Sequence, residues 1–241
     1  MEKEYVHLQW DSDFLGCNVA RIIRRDIDDG SLTSVLQELK VRNYRMVYWF
    51  VSVDDRLAAE AALRCGGVLV DEKVTYVKEL TCETVTKGAT SYVTVPYPYD
   101  EPEPTLISLA LKSGEYSRFR RDPSFPTGSF EKLYTHWIRR SVRGETGLPV
   151  LVVKESSCIA GMVTLEANET RGMIGLIAVE SNSRGQGIGR PLVAGAERCF
   201  IEHGYTVGKV VTQYANRAAC KLYELCGYRI DSIVNVFHFW L

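Results

Sequence analysis

Ile174-Gly-Leu-Ile-Ala-Val-Glu-Ser-Asn-Ser-Arg-Gly-Gln-Gly-Ile-Gly189 is the stretch on which the fold turns. An apolar strand enters a turn, passes Arg184-Gly-Gln-Gly-Ile-Gly, and leaves as a helix whose Leu192, Val193, Ala196, Cys199 and Phe200 share one face. Glycines at a strand-to-helix turn let backbone N–H groups point together at the helix start. With the positive end of the helix dipole they make an anion site. The plainer alternative is a tight turn packed on the sheet, with the glycines serving backbone conformation alone. Two phosphate loops are excluded. No Lys-Ser or Lys-Thr follows as in GxxxxGK[ST], and the third glycine of a dinucleotide fingerprint would fall at Arg190.

A second segment supports the first. Asn216-Arg-Ala-Ala-Cys-Lys-Leu-Tyr-Glu-Leu-Cys-Gly-Tyr228 follows an apolar strand, with Asn216 as a natural N-cap and Gly227 as a natural stop. Asn216 and Tyr223 are seven residues apart, on one helix face and about 10.5 Å along the axis. Taken alone, this is an amphipathic helix in which Asn216 caps and Tyr223 packs.

Together, strand, R-G-x-G-x-G, helix, strand and N-x-x-A-x-x-L-Y-x-x-x-G-[FY] resemble the GNAT superfamily of acyl-coenzyme A N-acetyltransferases, over about residues 150–241. The resemblance implies an α/β fold, a mixed central sheet flanked by helices, and acetyl-CoA as co-substrate. It implies that Arg184, Gly185, Gln186, Gly187, Ile188 and Gly189 bind the coenzyme's pyrophosphate, mostly through backbone N–H. The strand at Ile177, Ala178 and Val179 would pair with the pantetheine arm. Asn216 would contact that arm or fix the loop, and Tyr223 would face the sulfur. Ser181 departs from the proline frequent there. The residue types suit the chemistry. Fixed N–H donors stabilise a developing oxyanion, and a phenol of pKa about 10 can protonate a thiolate leaving group. Glu166, near a strand end, is a candidate water-relayed base, beside the reading of an exposed strand-end glutamate.

The rest of the chain frames this half. At 241 residues, 46% hydrophobic and 24% charged, it is neither disordered nor low in complexity. A net charge of −1 offers no global field for nucleic acid. Seven cysteines without a CxxC pair, and four histidines without a metal spacing, predict no metal site. Apolar runs are too short for a membrane span, and the charged start reads as no secretory leader, so a cytoplasmic protein is expected. We expect a small α/β domain over 1–83, a linker over 84–104, and the acetyltransferase domain over 92–241. In the first, Leu32, Val35, Leu36 and Leu39 form a helix face after Ser31. A second helix runs from about Asp55 to Cys65. Val68–Val70 and Val74–Leu80 read as a strand pair. Leu63–Val70 echoes Glu224–Asp231, each ending a helix on Cys-Gly. This is either ordinary punctuation or the mark of a truncated GNAT-like domain, which with Ala62 where Tyr223 falls would lack catalysis.

Acceptor recognition is sought in the arginines. Tyr116-Ser-Arg-Phe-Arg-Arg-Asp122 and Arg139, Arg140 and Arg143 are either solvated charge or a clamp for a phosphorylated acceptor, since guanidinium matches phosphate oxygens bidentately. His7–Asn18, Ser117-Arg-Phe-Arg120 and Phe130–Gly144 resemble the dTDP-fucosamine acetyltransferases. That resemblance implies a nucleotide-linked 4-amino-4,6-dideoxyhexose as acceptor, with Ser117, Arg118 and Arg120 as candidate contacts. Other small amines (an aminoglycoside, an amino acid, a peptide terminus) and a non-catalytic coenzyme-binding module remain open, as does a homodimer.

Overall fold

The computed structural model describes residues 4–24, 27–86, 92–168 and 170–241. In chain order its elements are β1 (Tyr5–His7), α1 (Gln9–Leu15), β2 (Asn18–Ile22), α2 (Asp29–Val41), β3 (Tyr44–Ser52), α3 (Arg56–Arg64) and β4 (Val68–Glu79). Next come β5 (Thr94–Pro96), α4 (Pro104–Ser113), α5 (Arg118–Arg121), α6 (Ser129–Val142), β6 (Leu151–Glu155), β7 (Cys158–Asn168) and β8 (Arg171–Val179). A 3₁₀ turn (Ser181–Ser183), α7 (Gly189–Glu202), β9 (Val207–Gln213), α8 (Arg217–Leu225) and β10 (Arg229–Trp240) complete the chain. It divides into two units: Met1–Val74 with Arg121–Thr127 and Ser232–Leu241, and Thr75–Arg120 with Gly128–Asp231.

In the first unit the strand order is β1-β2-β3-β10, with β2 and β3 parallel and the other neighbours antiparallel. Leu32, Val35, Leu36 and Leu39 of α2 are buried against Val47, Trp49, Ala58, Ala62, Phe237 and Phe239. Each such side chain contributes about 1.5–3 kcal/mol of burial, which is why the i, i+3, i+4, i+7 pattern fixes this helix. Its start lies earlier than Ser31. Asp28 is the cap, and its carboxylate accepts the Ser31 N–H at 2.8 Å. The segment 121–127 is tied to β10 through Asp122, whose Oδ2 lies 2.6 Å from His238 Nδ1 and accepts Trp240 Nε1 at 3.0 Å.

The expected strand pair over residues 68–80 is one strand, β4. Asp71-Glu72-Lys73 reads locally as a turn, and the alternation does break there, with Asp71 buried beside Val70 and Glu72 exposed, yet the strand runs on and Val74, Tyr76 and Lys78 are buried at alternate positions. Residues 87–91 of the expected linker lie outside the described residues. Beyond them, β5 pairs antiparallel with β6, Val95 opposite Val152.

The strand order in the second unit is β4-β9-β8-β7-β6-β5. β5 to β8 form an antiparallel run, and β8 and β9 are parallel, so the sheet is mixed. Leu106 and Leu109 of α4, Ile138 of α6 and Leu192, Val193 and Phe200 of α7 are buried. A buried polar cluster braces α7 within this unit. Lys78 Nζ donates to Glu197 Oε1 (2.8 Å) and to the Cys226 carbonyl (2.7 Å), and the Thr86 N–H donates to Glu197 Oε2 (2.5 Å). Their attraction and the added hydrogen bonds offset the desolvation cost of burying the two charges.

Candidate active site

The site begins where two parallel strands part. Rungs join β8 and β9 from Arg171–Val207 to Ile174–Val210. β8 continues to Val179 and β9 to Gln213, with no further rung between them among the described residues. Along Gly175–Val179, backbone groups of alternate residues therefore face a gap instead of a ladder partner. An extended chain carrying amides can add there as a strand. Ala178 is buried, while Ile177 and Val179 are half-buried.

The turn after β8 delivers the glycines. Gly185 (φ +79°) and Gly187 (φ +85°) occupy the left-handed region, which disfavours a side chain. α7 then starts at Gly189 behind Ile188, and no side chain caps its first turn. Its leading N–H groups are thus available to an anion, as a helix start provides. Arg184 is extended, and its Nε donates to the Val179 carbonyl at 3.4 Å.

On α8, Asn216 caps the helix, its Oδ1 accepting the Ala219 N–H at 3.2 Å. Tyr223 is buried, its ring 5.8 Å from that of Tyr76 and 6.1 Å from that of Tyr228. Burial raises its pKa well above the ordinary phenol value, so the hydroxyl keeps its proton at neutral pH.

Opposite the bulge of β8 stands a carboxylate. Val163 faces Ile177 and Leu165 faces Ile174, so Gly175 and Leu176 together oppose Thr164. The Leu176 N–H freed by this bulge donates to Thr164 Oγ1 at 2.8 Å. A Cβ on Gly175 would come within 2.7 Å of Thr164 Oγ1 and 3.0 Å of Glu166 Oε1, so only glycine lets that carboxylate approach the strand. Trp137 Nε1 of α6 donates to Glu166 Oε1 at 2.7 Å. In the sequence Trp137 stands out only as part of the stretch Phe130–Gly144, and neither Thr164 nor the bulge carries a motif. The lone glycine inside a strand was the available signal.

The acceptor candidates divide. Ser117 is buried, and its hydroxyl has no hydrogen-bond partner among the described residues. Arg118 lies over the Phe119 ring (5.1 Å) and Arg120 over the Phe130 ring (5.3 Å), with Arg120 also 3.4 Å from Glu131. Arg143 and Arg139 pair with Glu101, and Arg140 with Glu145, so these three arginines serve surface ion pairs. Among the described residues no group of three His, Cys, Asp or Glu could hold a metal, and no helix is long and apolar enough to cross a membrane.

Residues 112–228 match the acetyltransferase (GNAT) family. This segment is a GNAT acetyltransferase domain. It contains the parted strands, the glycine loop, Glu166, Asn216 and Tyr223. The chain is similar to a dTDP-fucosamine acetyltransferase of Escherichia coli, 34% identical over 140 residues, covering 57% of this chain and 58% of that one. It is also similar to a spore coat polysaccharide biosynthesis protein of Bacillus subtilis, 23% identical, covering 58% of this chain and 49% of that one. The chain thus spans about half the length of these curated relatives. Solved structures share the fold. A conserved protein of Staphylococcus epidermidis has TM-score 0.71 at 13% identity, with 99% of this chain and 92% of that one covered. A GCN5-related N-acetyltransferase of Kribbella flavida has TM-score 0.64 at 14% identity, with 99% and 87% covered. A tandem GNAT protein from the clavulanic acid biosynthesis pathway has TM-score 0.59 at 12% identity, with 93% and 76% covered.

Proposed function

We propose that the protein transfers acetyl from acetyl-CoA to the amino group of a nucleotide-linked amino sugar, by direct attack in a ternary complex. The observation that carries this is the conjunction at the C-terminal ends of two interior strands: β8 and β9 part beside a bulge and the uncapped start of α7. The backbone N–H groups of Gly185–Gly189 receive the diphosphate. The gap at Ile177–Val179 receives the pantetheine, and a β8 N–H polarises the thioester carbonyl. The amine nitrogen attacks the carbonyl carbon, and the C–S bond breaks. The sulfur takes the Tyr223 hydroxyl proton, while the ammonium proton leaves to Glu166 through water. The products are the N-acetyl sugar and coenzyme A.

The acceptor class rests on α6. Phe130, beneath the Arg120 guanidinium, and Trp137, bound to Glu166, are seven residues apart on one helix face, roughly 10.5 Å along the axis. A guanidinium and a carboxylate so spaced suit an acceptor with an anion at one end and an amine at the other. The similarity to a protein named dTDP-fucosamine acetyltransferase supports the same class.

We place the acetyltransferase domain at residues 92–241 and read the first eighty-odd residues as a truncated relative of it. The test of activity is thiol release from acetyl-CoA with a panel of amines. Turnover should be fastest with a dTDP-linked 4-amino sugar and at least about ten-fold slower with the free amino sugar, a difference of ~1.4 kcal/mol. Equal rates on both, or preference for a cationic aminoglycoside, would overturn the acceptor class.

A further inference from the structure

We propose that Tyr92 and Glu155 are positioning residues for the coenzyme, latching the glycine loop in its binding shape before the diphosphate arrives. Glu155 ends β6 and is remote in sequence from the loop. Its Oε2 accepts the Ser183 hydroxyl at 2.5 Å, and its Oε1 accepts the Tyr92 hydroxyl at 2.6 Å. The Tyr92 hydroxyl also lies 2.9 Å from Gln186 Oε1, so its single proton is shared between that amide oxygen and the nearer Glu155 carboxylate, and Gln186 Nε2 donates to the Asn182 carbonyl at 3.3 Å. Ser183 precedes, and Gln186 follows, the pair Arg184–Gly185. The latch therefore grips both sides of the first left-handed residue of the turn.

The arrangement answers a physical need. A loop that binds an anion through main-chain N–H groups gains little if those groups must first be ordered at the moment of binding. Two glycines make this turn possible and also leave it many alternatives. The Ser183 and Tyr92 hydrogen bonds hold the Glu155 carboxyl below the usual carboxylate range, so the acceptor stays charged and the latch closed at neutral pH. A second brace acts one residue before the 3₁₀ turn, where Lys112 Nζ meets Glu180 Oε2 at 2.7 Å.

The inference rests on the coenzyme reading of the loop, and the experiment separates the two. Coenzyme A binding is titrated calorimetrically for the full chain and for Tyr92→Phe and Glu155→Ala. Turnover is then measured with acetyl-CoA and with acetyl-pantetheine, which lacks the diphosphate. A latch predicts that both variants bind coenzyme A about ten-fold more weakly, equivalent to ~1.4 kcal/mol. KM for acetyl-CoA should rise by a similar factor with kcat near wild type, and kcat/KM for acetyl-pantetheine should be unchanged. A general loss of structure would depress both donors alike. Because Tyr92→Phe removes a single hydroxyl, it decides the matter even if Glu155→Ala folds poorly. Unchanged or tighter coenzyme A binding in Tyr92→Phe, or a parallel fall with acetyl-pantetheine, overturns the latch while the coenzyme reading stands. A wild-type chain that binds no coenzyme A overturns both.

Discussion

The indole N–H of Trp137 lies 2.7 Å from Glu166 Oε1, on the oxygen that packs against Gly175 at the bulge of β8. One carboxylate oxygen of Glu166 is thus fixed by the helix. If Glu166 is the base, Glu166→Gln should lower kcat by about 10²-fold. Trp137→Phe should cause a smaller loss. A Glu166→Gln enzyme with wild-type kcat would return Glu166 to a packing role.

Gly175→Ala tests the same corner from the strand. Its new Cβ would overlap Thr164 Oγ1 and press on Glu166. We expect kcat to fall by at least about ten-fold, or ~1.4 kcal/mol in the transition state, while coenzyme A affinity stays near wild type. Calorimetry and steady-state kinetics on the same preparation check this, and full activity in the variant would refute the approach.

Burial of Tyr223 places its ionisation far above neutrality. Tyr223→Phe should lower kcat by about 10²-fold and leave coenzyme A binding nearly unchanged. In the wild type no alkaline loss of activity should track an ordinary tyrosine pKa of about 10. Equal turnover by the variant across the pH range would remove the acid role.

How much of this was legible in the sequence depends on how local each signal is. Gly185, Gly187, the Asn216 cap and the apolar face of α2 are short-range devices, and each stands where the sequence put it. β4 was split in two because Asp71-Glu72-Lys73 mimics a turn, and only sheet pairing shows the strand to be continuous. The Trp137–Glu166 and Tyr92–Gln186 contacts join residues 29 and 94 apart, and no spacing rule reaches that far. The partners of the arginines are illegible for another reason. Charge is visible in sequence, but the partners of Arg143 and Arg140 (Glu101 and Glu145) are assigned only by the fold.

Asp122 gives the first unit a pH dependence whose sign follows from its surroundings. Although burial opposes ionisation, hydrogen bonds from His238, Trp240 and the Ser124 N–H prevail and bring its pKa to about 2. That lies below the unfolded value of about 3.9. The stabilisation is therefore fully present above about pH 4 and is lost as pH falls through about 2. Asp122→Asn should cost about 3 kcal/mol at neutral pH, and the gap to wild type should shrink between about pH 4 and 2. Urea unfolding of both proteins across that range measures it. A gap independent of pH would show that the carboxylate charge is not what ties the 121–127 segment to β10.

The most direct test of the account is an amide-resolved NMR titration of the full chain with coenzyme A. Binding at the turn predicts the largest shifts at the N–H groups of Gly185, Gly187 and Gly189, with a second set along Ile177–Val179. Shifts confined to other regions, or none at saturating coenzyme A, would contradict it.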